Sequence, residues 1–458
     1  MFRRVLVANR GEIARRCIRT LRKMGIKSVV VFSDADRDAP YLKEADRAIC
    51  IGPALAKDSY LDESAILEAA LETECEAIHP GFGFLSENAR FAERCLLQKL
   101  TFIGPTPAAI ALMGDKAKAR EAMTRLGVPT LLGSKSIVSD GSELLRVALS
   151  LGFPVLLKAR AGGGGKGMRL TENADELATA FEQARAEAFS AFGDGELYVE
   201  KFVKNARHIE FQILADHYGN VVVLGERECS IQRKNQKLIE EAPANGFSPK
   251  TRREISEILT AAMKKLGYQN AGTVEFLLSE DGKLYFMEMN TRIQVEHPVT
   301  ELVYGVDIIE WQVRIACNER LTFSTGDLAI NGAAIECRIN AEDPARDFLP
   351  NPGTISLLHL PDNDAQGPIR IDTHIIEGYR VPPFYDSMLA KIITHGKSRS
   401  EALELMRKTL NQTRIQGLHT TIDFHKAILA TDEFIAGRYD CSFIARHWST
   451  LLEKMPKE

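Results

Sequence analysis

Three domains of α/β and α+β character are expected of this chain, and three observations carry the expectation. Residues 1–114 alternate short strands with helices, residues 115–330 hold two hairpin signals, and residues 331–446 alternate strands and helices again. The length agrees, because 458 residues at about 150 per domain make three.

In the first part the order is strand "RRVLVAN", helix "RGEIARRCIRTLRKMG", strand "KSVVVF", helix "ESAILEAALETE", strand "EAIHP". Strands alternating with helices build a parallel sheet. The loops "NRGE" and "HPGFGFLSEN" follow strands, which places them at the carboxyl edge, where open α/β sheets bind ligands.

The middle part opens with "VLLKARAGGGGKGMRL", residues 155–170. Val155 to Lys158 reads as a strand leading in, Met168 to Leu170 as a strand leading out, and the helical "ADELATAFEQARAEAF" follows, so the glycines form the tip of a hairpin. A P-loop is excluded, because Arg160 stands where its first glycine belongs and Lys166 precedes Gly167 rather than Ser or Thr. Gly162, Gly164 and Gly167 match G-x-G-x-x-G in form, but the dinucleotide fingerprint opens a helix, and here a strand follows. Two readings remain: a flap of the kind that covers nucleotide phosphates in protein kinases, or a mobile surface loop.

Further on, "VEFLLSEDGKLYFME" carries Asp281-Gly282 between apolar runs, a two-residue hairpin signal. That turn sets Glu275 across from Glu288, where like charges repel. Either both reach into water, or a divalent cation lies between them, as magnesium is held by one or two carboxylates and nucleotide phosphates. Beyond the hairpin, Glu288, Asn290, Arg292, Gln294 and Glu296 recur at every second residue, and extended backbone would turn all five to one face. An exposed edge strand alternates in the same way. The order of a carboxylate pair, an amide, a guanidinium and a further acid points instead to a metal site leading into an anion-binding and general-base site.

Composition removes other classes. Apolar content of 45% and charged content of 26% are those of an ordinary globular protein. A net charge of -4 leaves no basic footprint for nucleic acid. The apolar run Val5–Ala8 is too short for a signal peptide, and no apolar stretch approaches the ~18 residues that span a membrane. Eight cysteines form no C-x-x-C pair and no zinc spacing, so reduced, mostly buried thiols and a cytoplasmic protein are expected.

Several longer motifs, in order, carry a resemblance over nearly the whole chain: "KARAGGGGKGM", "HIEFQILAD", "IQRKNQKLIEEAPA", "MEMNTRIQVEHPVTE" and "ECRINAEDP". Together the sequence resembles the biotin carboxylase family of the ATP-grasp superfamily. The resemblance implies a Rossmann-like N-terminal domain over 1–114, an ATP-grasp domain over 115–330 with its glycine-rich lid at about 131–203, and a C-terminal biotin carboxylase domain over 331–446. It implies bicarbonate activation by ATP with magnesium or manganese, through carboxyphosphate, and carboxylation of the ureido nitrogen of biotin.

By the same resemblance Lys116, Lys158, His208, Gln232 and Asn235 would meet the nucleotide, with Gly164 and Gly165 over its phosphates. Glu200, Lys201 and Val203 would form the adenine-side hinge, and Glu275, Glu288 and Asn290 would hold the metal. Lys237, Arg292, Gln294 and the backbone of Val295 would bind bicarbonate, and Glu296 would take its proton. Arg338 would stabilise the biotin ureido oxygen, beside Phe82 and Gly83. Asn235 stands where many relatives have histidine, and Phe82 where relatives often have tyrosine.

No Met-Lys-Met acceptor sequence occurs, "AAMKKLG" being the nearest, so biotin is expected as a substrate on a separate biotin carboxyl carrier protein, not attached to this chain. A carboxyltransferase subunit would use the product, as in acetyl-CoA carboxylase, and a homodimer is expected. The two rival classes are another ATP-grasp ligase that joins a carboxylate to an amine, and a non-enzymatic nucleotide-binding regulator. The ligase would not require "RIQVEHP" together with "ECRIN", and intact Glu296, Lys237 and Arg338 argue against the regulator.

Overall fold

Val5, Leu6 and Val7 are fully buried, as the central strand of a sheet covered on both faces must be. In the computed structural model, which describes residues 1–134, 138, 140–160, 167–362 and 367–455, that strand, Arg4–Val7, lies between Lys27–Phe32 and Ala77–His79. Arg47–Cys50 and Thr101–Phe102 complete the sheet at its two edges, and all pairs are parallel. The chain leaves the first strand toward one edge and later returns to its other side, so the loops after Arg4–Val7 and Ala77–His79 flank a topological switch point, where such sheets open a crevice. Asn9 joins the two loops, its Nδ2 donating to the carbonyls of Pro80 and Phe82, each at 2.7 Å.

The glycine-bearing hairpin forms as expected. Val155–Ala159 pairs antiparallel with Met168–Thr171 and, on its other side, with Leu197–Lys201. Helix Ala174–Phe192 follows, started by the Asn173 side chain, which accepts from the N–H groups of Asp175 and Glu176, and ended by Gly193 at φ 72°. These are the ordinary start and stop signals of a helix. Gly164 and Gly165, expected over the phosphates, lie outside the described residues.

The largest sheet has eight antiparallel strands in the order Leu284–Asn290, Asn270–Leu278, Arg207–Ala215, Val221–Arg233, Gln236–Ala242, Ala333–Asn340, Met388–Gly396 and Ile369–Thr373. Strands from both sides of residue 330 therefore share one sheet. The expected alternation beyond 331 is corrected: the strands come first, and helices Arg399–Gln412, Ile422–Leu429, Asp432–Ile435 and Phe443–Glu453 follow, with only Arg414–Gln416 between them. Antiparallel neighbours need no crossover helix, so the helices gather as a layer against Ile335, Cys337 and Ile392. The end of the chain, "HWSTLLEKMPKE" from residue 447, reads from its charges as a tail; as far as Glu453 it belongs instead to the helix Phe443–Glu453, because Phe443, Ile444 and Leu451 bury one face of that helix in the layer.

Helix Gly11–Lys23 of the first part is fastened to the far end of this sheet by buried ions. Arg16 meets Glu301 at 2.9 Å and Asp307 at 2.8 Å, Arg370 meets Glu301 at 2.7 Å, and Glu12 meets Lys391 at 3.2 Å. Breaking one such pair leaves an uncompensated buried charge, so the network holds the switch-point crevice against the large sheet.

Candidate functional site

Glu275 is directly opposite Glu288, as the turn signal predicts. Two local departures produce the agreement. The connection spans Glu280 to Gly282, since Ser279 N–H donates to Lys283 and Gly282, at φ 79°, bonds back to Ser279; this is a three-residue hairpin with glycine in the left-handed position. A register shift after Glu275 then restores the pairing, as a bulge does by adding one residue to one strand.

The alternating polar run is extended only as far as Asn290, where the strand stops; Arg292 to Glu296 are irregular until helix His297–Tyr304 begins. Side-chain bonds bring the run together instead. Arg292 donates to Asn290 Oδ1 and Gln294 Oε1, both at 2.9 Å, and Gln294 and Asn290 donate to Glu275 at 3.0 and 2.8 Å.

A cleft of about 1600 Å³ opens between the switch point and the large sheet. Its walls include Lys116, Lys158, His208, Gln232, Asn235, Lys237, Glu275, Glu288 and Asn290, with Arg292, Gln294 and Val295, and also Phe82, Gly83 and Arg338. Glu200, Lys201 and Val203 are not in its lining. Glu200 accepts from Lys158 Nζ at 2.6 Å, and Lys201 Nζ donates to the carbonyls of Gly152 and Phe153. Glu200 also accepts from Arg120 Nη1 at 3.2 Å, and the Lys201 N–H donates to the Leu132 carbonyl at 2.9 Å, so both residues are engaged away from the cleft.

The positions follow from local signals. Asp115 caps helix Lys116–Arg125, and Lys116 at its first turn reaches Glu288 at 3.3 Å. Asn235 occupies the second of two turn residues at positive φ, 47° for Lys234 and 66° for Asn235, between Val221–Arg233 and Gln236–Ala242. Asparagine tolerates that conformation well, so its presence in place of histidine suits the turn.

At the floor, Glu288, Glu275, Glu210 and Arg227 occupy successive cross-strand positions on four neighbouring strands. Lys237 Nζ donates to Glu210 at 2.6 Å, Glu275 at 3.1 Å and Glu296 at 2.6 Å, which uses all three donors of an ammonium. Arg338 donates through Nε to Glu240 and through Nη2 to Glu296 at 2.9 Å. Glu296 is fully buried. Burial opposes its charge, but Lys237, Arg338 and Arg227 overcome that and hold the carboxyl well below its ordinary range. Glu275 is depressed in the same manner, Lys237 and then His208 outweighing burial. Lys237 is raised well above the usual lysine value, its three carboxylates prevailing over burial.

Sequence reasoning passed over Glu210, Arg227, Glu240 and Glu87. Glu87, in the loop after Ala77–His79, accepts from Thr291 N–H at 3.0 Å and Arg292 Nε at 2.9 Å. The motifs "HIEFQ" and "LIEEA" contain Glu210 and Glu240, but a strand acid signals nothing until its cross-strand partner is known.

The donor set fits a magnesium ion at the carboxylate pair. Glu275 and Glu288 supply hard oxygen ligands, as that ion requires, and Glu288 is engaged only by Lys116 among the described residues. Asn290, the third residue expected at the metal, lies beside the pair, donating to Glu275 and accepting from Arg292. Glu288→Gln is expected to lower turnover by about two orders of magnitude, since metal neutralisation of transferring phosphate is worth several kcal/mol. Its ligand-free melting temperature should shift by no more than about 3 °C, because a half-exposed ion pair contributes little. Steady-state kinetics with calorimetry checks this; a large melting shift with turnover intact would make the pair structural.

Comparison with known proteins decides the family. Residues 1–110 match the biotin carboxylase N-terminal domain, residues 115–324 the ATP-binding domain of the carbamoyl-phosphate synthase L chain, and residues 336–446 the biotin carboxylase C-terminal domain. The chain belongs to the biotin carboxylase family. It is 51% identical to the chloroplastic biotin carboxylase of Arabidopsis thaliana over 98% of this chain and 83% of that protein. It is 50% identical to the biotin carboxylase of Nostoc sp. over 97% of this chain and 98% of that protein. The biotin carboxylase domain dimer of Hydrogenobacter thermophilus 2-oxoglutarate carboxylase, solved with MgADP, ADP and bicarbonate, superposes with a TM-score of 0.94 at 47% identity, covering 98% of this chain and 99% of that one. Likeness at this level over the whole chain makes this an ADP-forming biotin carboxylase, an ATP-dependent ligase, and removes the two rival classes. No helix among the described residues is long and apolar enough to cross a membrane.

Proposed function

We propose that one cleft performs both steps of biotin carboxylation, with its residues divided between them. Lys116, Lys158 and His208 hold ATP, and Glu275, Glu288 and Asn290 would hold the magnesium, which would neutralise its phosphates. Arg292, Gln294 and the Val295 N–H receive bicarbonate beside Lys237. Glu296 removes its proton so that an oxygen of the anion attacks the γ-phosphorus, releasing ADP and forming carboxyphosphate. Arg338, which lines the cleft with Phe82 and Gly83, then stabilises the oxygen of the biotin ureido group while its nitrogen bonds to the carboxyl carbon of carboxyphosphate; the bond from that carbon to the phosphate oxygen breaks, and the departing phosphate takes the nitrogen's proton.

The observation that carries this reading is the place of Glu296, buried and ionised between Lys237 and Arg338. Since all three donors of Lys237 are already used, bicarbonate gains Lys237 by displacing a carboxylate from it. Glu296 is the natural one to move, because it then faces the proton it must accept. Arginine stays protonated at any working pH, as a fixed oxyanion donor must.

The biotin is proposed to arrive on a carrier protein and to leave for a carboxyltransferase, since the sequence holds no acceptor motif. A homodimer is proposed, in keeping with the Hydrogenobacter domain dimer. Action in the cytoplasm suits its free cysteines, which oxidising compartments would tend to pair. The test is ATP hydrolysis by the purified chain with magnesium: it should require bicarbonate and rise with free biotin. Equal turnover in bicarbonate-depleted buffer would remove the carboxyphosphate route.

A further inference from the structure

Behind the segment Gln294–Glu296 lie two fully buried side chains that the reaction as described does not use. Lys391, in strand Met388–Gly396 and directly across from Arg338 on the neighbouring strand, donates from Nζ to the carbonyl of Val295 at 2.8 Å. His297 bonds through Nδ1 to the carbonyl of Gln294 at 2.8 Å. A carbonyl only accepts, so this nitrogen carries the proton. Burial holds the imidazole well below its ordinary pKa, and Lys391, Arg16 and Arg370 add to that, so the ring is neutral. Both side chains have no exposure to solvent.

Lys391 is kept in this position by an acid from another part of the chain. Glu12, in the first turn of helix Gly11–Lys23, meets its ammonium at 3.2 Å. Glu336, on the strand beside Lys391, is fully buried with no hydrogen bond to either oxygen. A buried ammonium is costly to desolvate, and here it is bound to a backbone carbonyl.

The peptide bond is planar and trans, so each carbonyl points away from the N–H of the following residue. Fixing the Gln294 carbonyl on His297 turns the Val295 N–H to the opposite side, and fixing the Val295 carbonyl on Lys391 does the same for Glu296. Val295 lines the cleft. Neither N–H donates to any group among the described residues, and successive backbone N–H groups facing one way form an anion-binding concavity.

We propose that Lys391 and His297 are positioning residues for bicarbonate: by holding two consecutive carbonyls from behind, they direct the N–H groups of Val295 and Glu296 at the anion. The assignment rests on the reading that this segment binds bicarbonate. It further makes Glu12 the link by which the N-terminal part of the chain supports that segment.

The experiment compares the Michaelis constants for bicarbonate and ATP. His297→Leu removes one support and should raise KM for bicarbonate about tenfold or more, as for a lost hydrogen bond to a charged group, with KM for ATP within about twofold. His297→Asn, whose amide nitrogen can take the place of Nδ1, should recover most of the loss. The double variant Glu12→Gln with Lys391→Met removes the other support without leaving a lone buried charge, and should raise the same constant. In the unaltered protein, amide exchange at Val295 and Glu296 should slow when bicarbonate is added with MgADP, a result that depends on no variant folding.

Unchanged bicarbonate KM in the folded variants, or no slowing of either amide, overturns the proposal. Arg292→Gln separates the two levels. If it leaves KM for bicarbonate unchanged, the site assignment itself fails. If it raises that constant while the His297 and Lys391 variants do not, only the support from behind fails.

Discussion

Glu296→Gln should abolish bicarbonate-dependent ATP cleavage and biotin carboxylation together, each falling by about 10²- to 10⁴-fold, the usual contribution of a positioned base. The amide keeps an oxygen that can accept from Lys237 Nζ or Arg338 Nη2, both of which now bond the carboxylate, so the fold is retained better than in Glu296→Ala. Alanine would leave Lys237 with Glu210 and Glu275, and Arg338 with Glu240, in a disturbed buried network. The neighbouring acids are engaged: Glu275 by Lys237, Asn290 and Gln294, Glu210 by Lys237 and Arg227, and Glu240 by Arg338, with burial pushing Glu240 up to about 7. The measurement is both activities in one preparation, with ATP affinity determined separately. ATP cleavage that survives while carboxylation fails would move the base from the first step to the second.

Arg338→Gln should divide the two activities. Carboxybiotin formation should fall by about 10²- to 10³-fold, the typical loss for one preorganised oxyanion donor, while most of the slow bicarbonate-dependent ATP hydrolysis persists. The division is not absolute, because Arg338 also bonds Glu296 and is one of the three cations that keep it ionised. Lys237 and Arg227 remain in the variant, so Glu296 should stay a carboxylate at neutral pH and the first step should continue. Equal loss of both activities with nucleotide binding intact would assign Arg338 to bicarbonate deprotonation as well.

Much of this site was legible in the residue pattern. The Asp281-Gly282 signal placed Glu275 against Glu288, although the real turn is one residue longer and a bulge compensates. The βαβ order of the first part placed "NRGE" and "HPGFGFLSEN" at one sheet edge, and Asn9 ties those two loops together. The run from Glu288 to Glu296 was readable as one polar surface but misread as one strand. Its side chains converge because Arg292, Asn290 and Gln294 bond one another and Glu275, after the strand has ended. The tail was misread because its charges are conspicuous, whereas the apolar face of helix Phe443–Glu453 has few residues.

Local order, then, was settled by the chain alone: hairpins, caps, alternating faces and the motif sequence that carries the family resemblance all depend on residues close together. The charge state of the site was decided only in three dimensions. Glu210, Arg227, Lys237, Glu240, Arg338 and Lys391 come from five strands; Lys237 and Arg338 stand out in the sequence only through the family resemblance, and the other four look like any surface acid or base. Burial makes a lone ion expensive, and a fitted partner at hydrogen-bond distance makes it stable and directional. Which partner that is depends on strand order and register, and in the case of Glu12 and Lys391 on the docking of a helix 379 residues away.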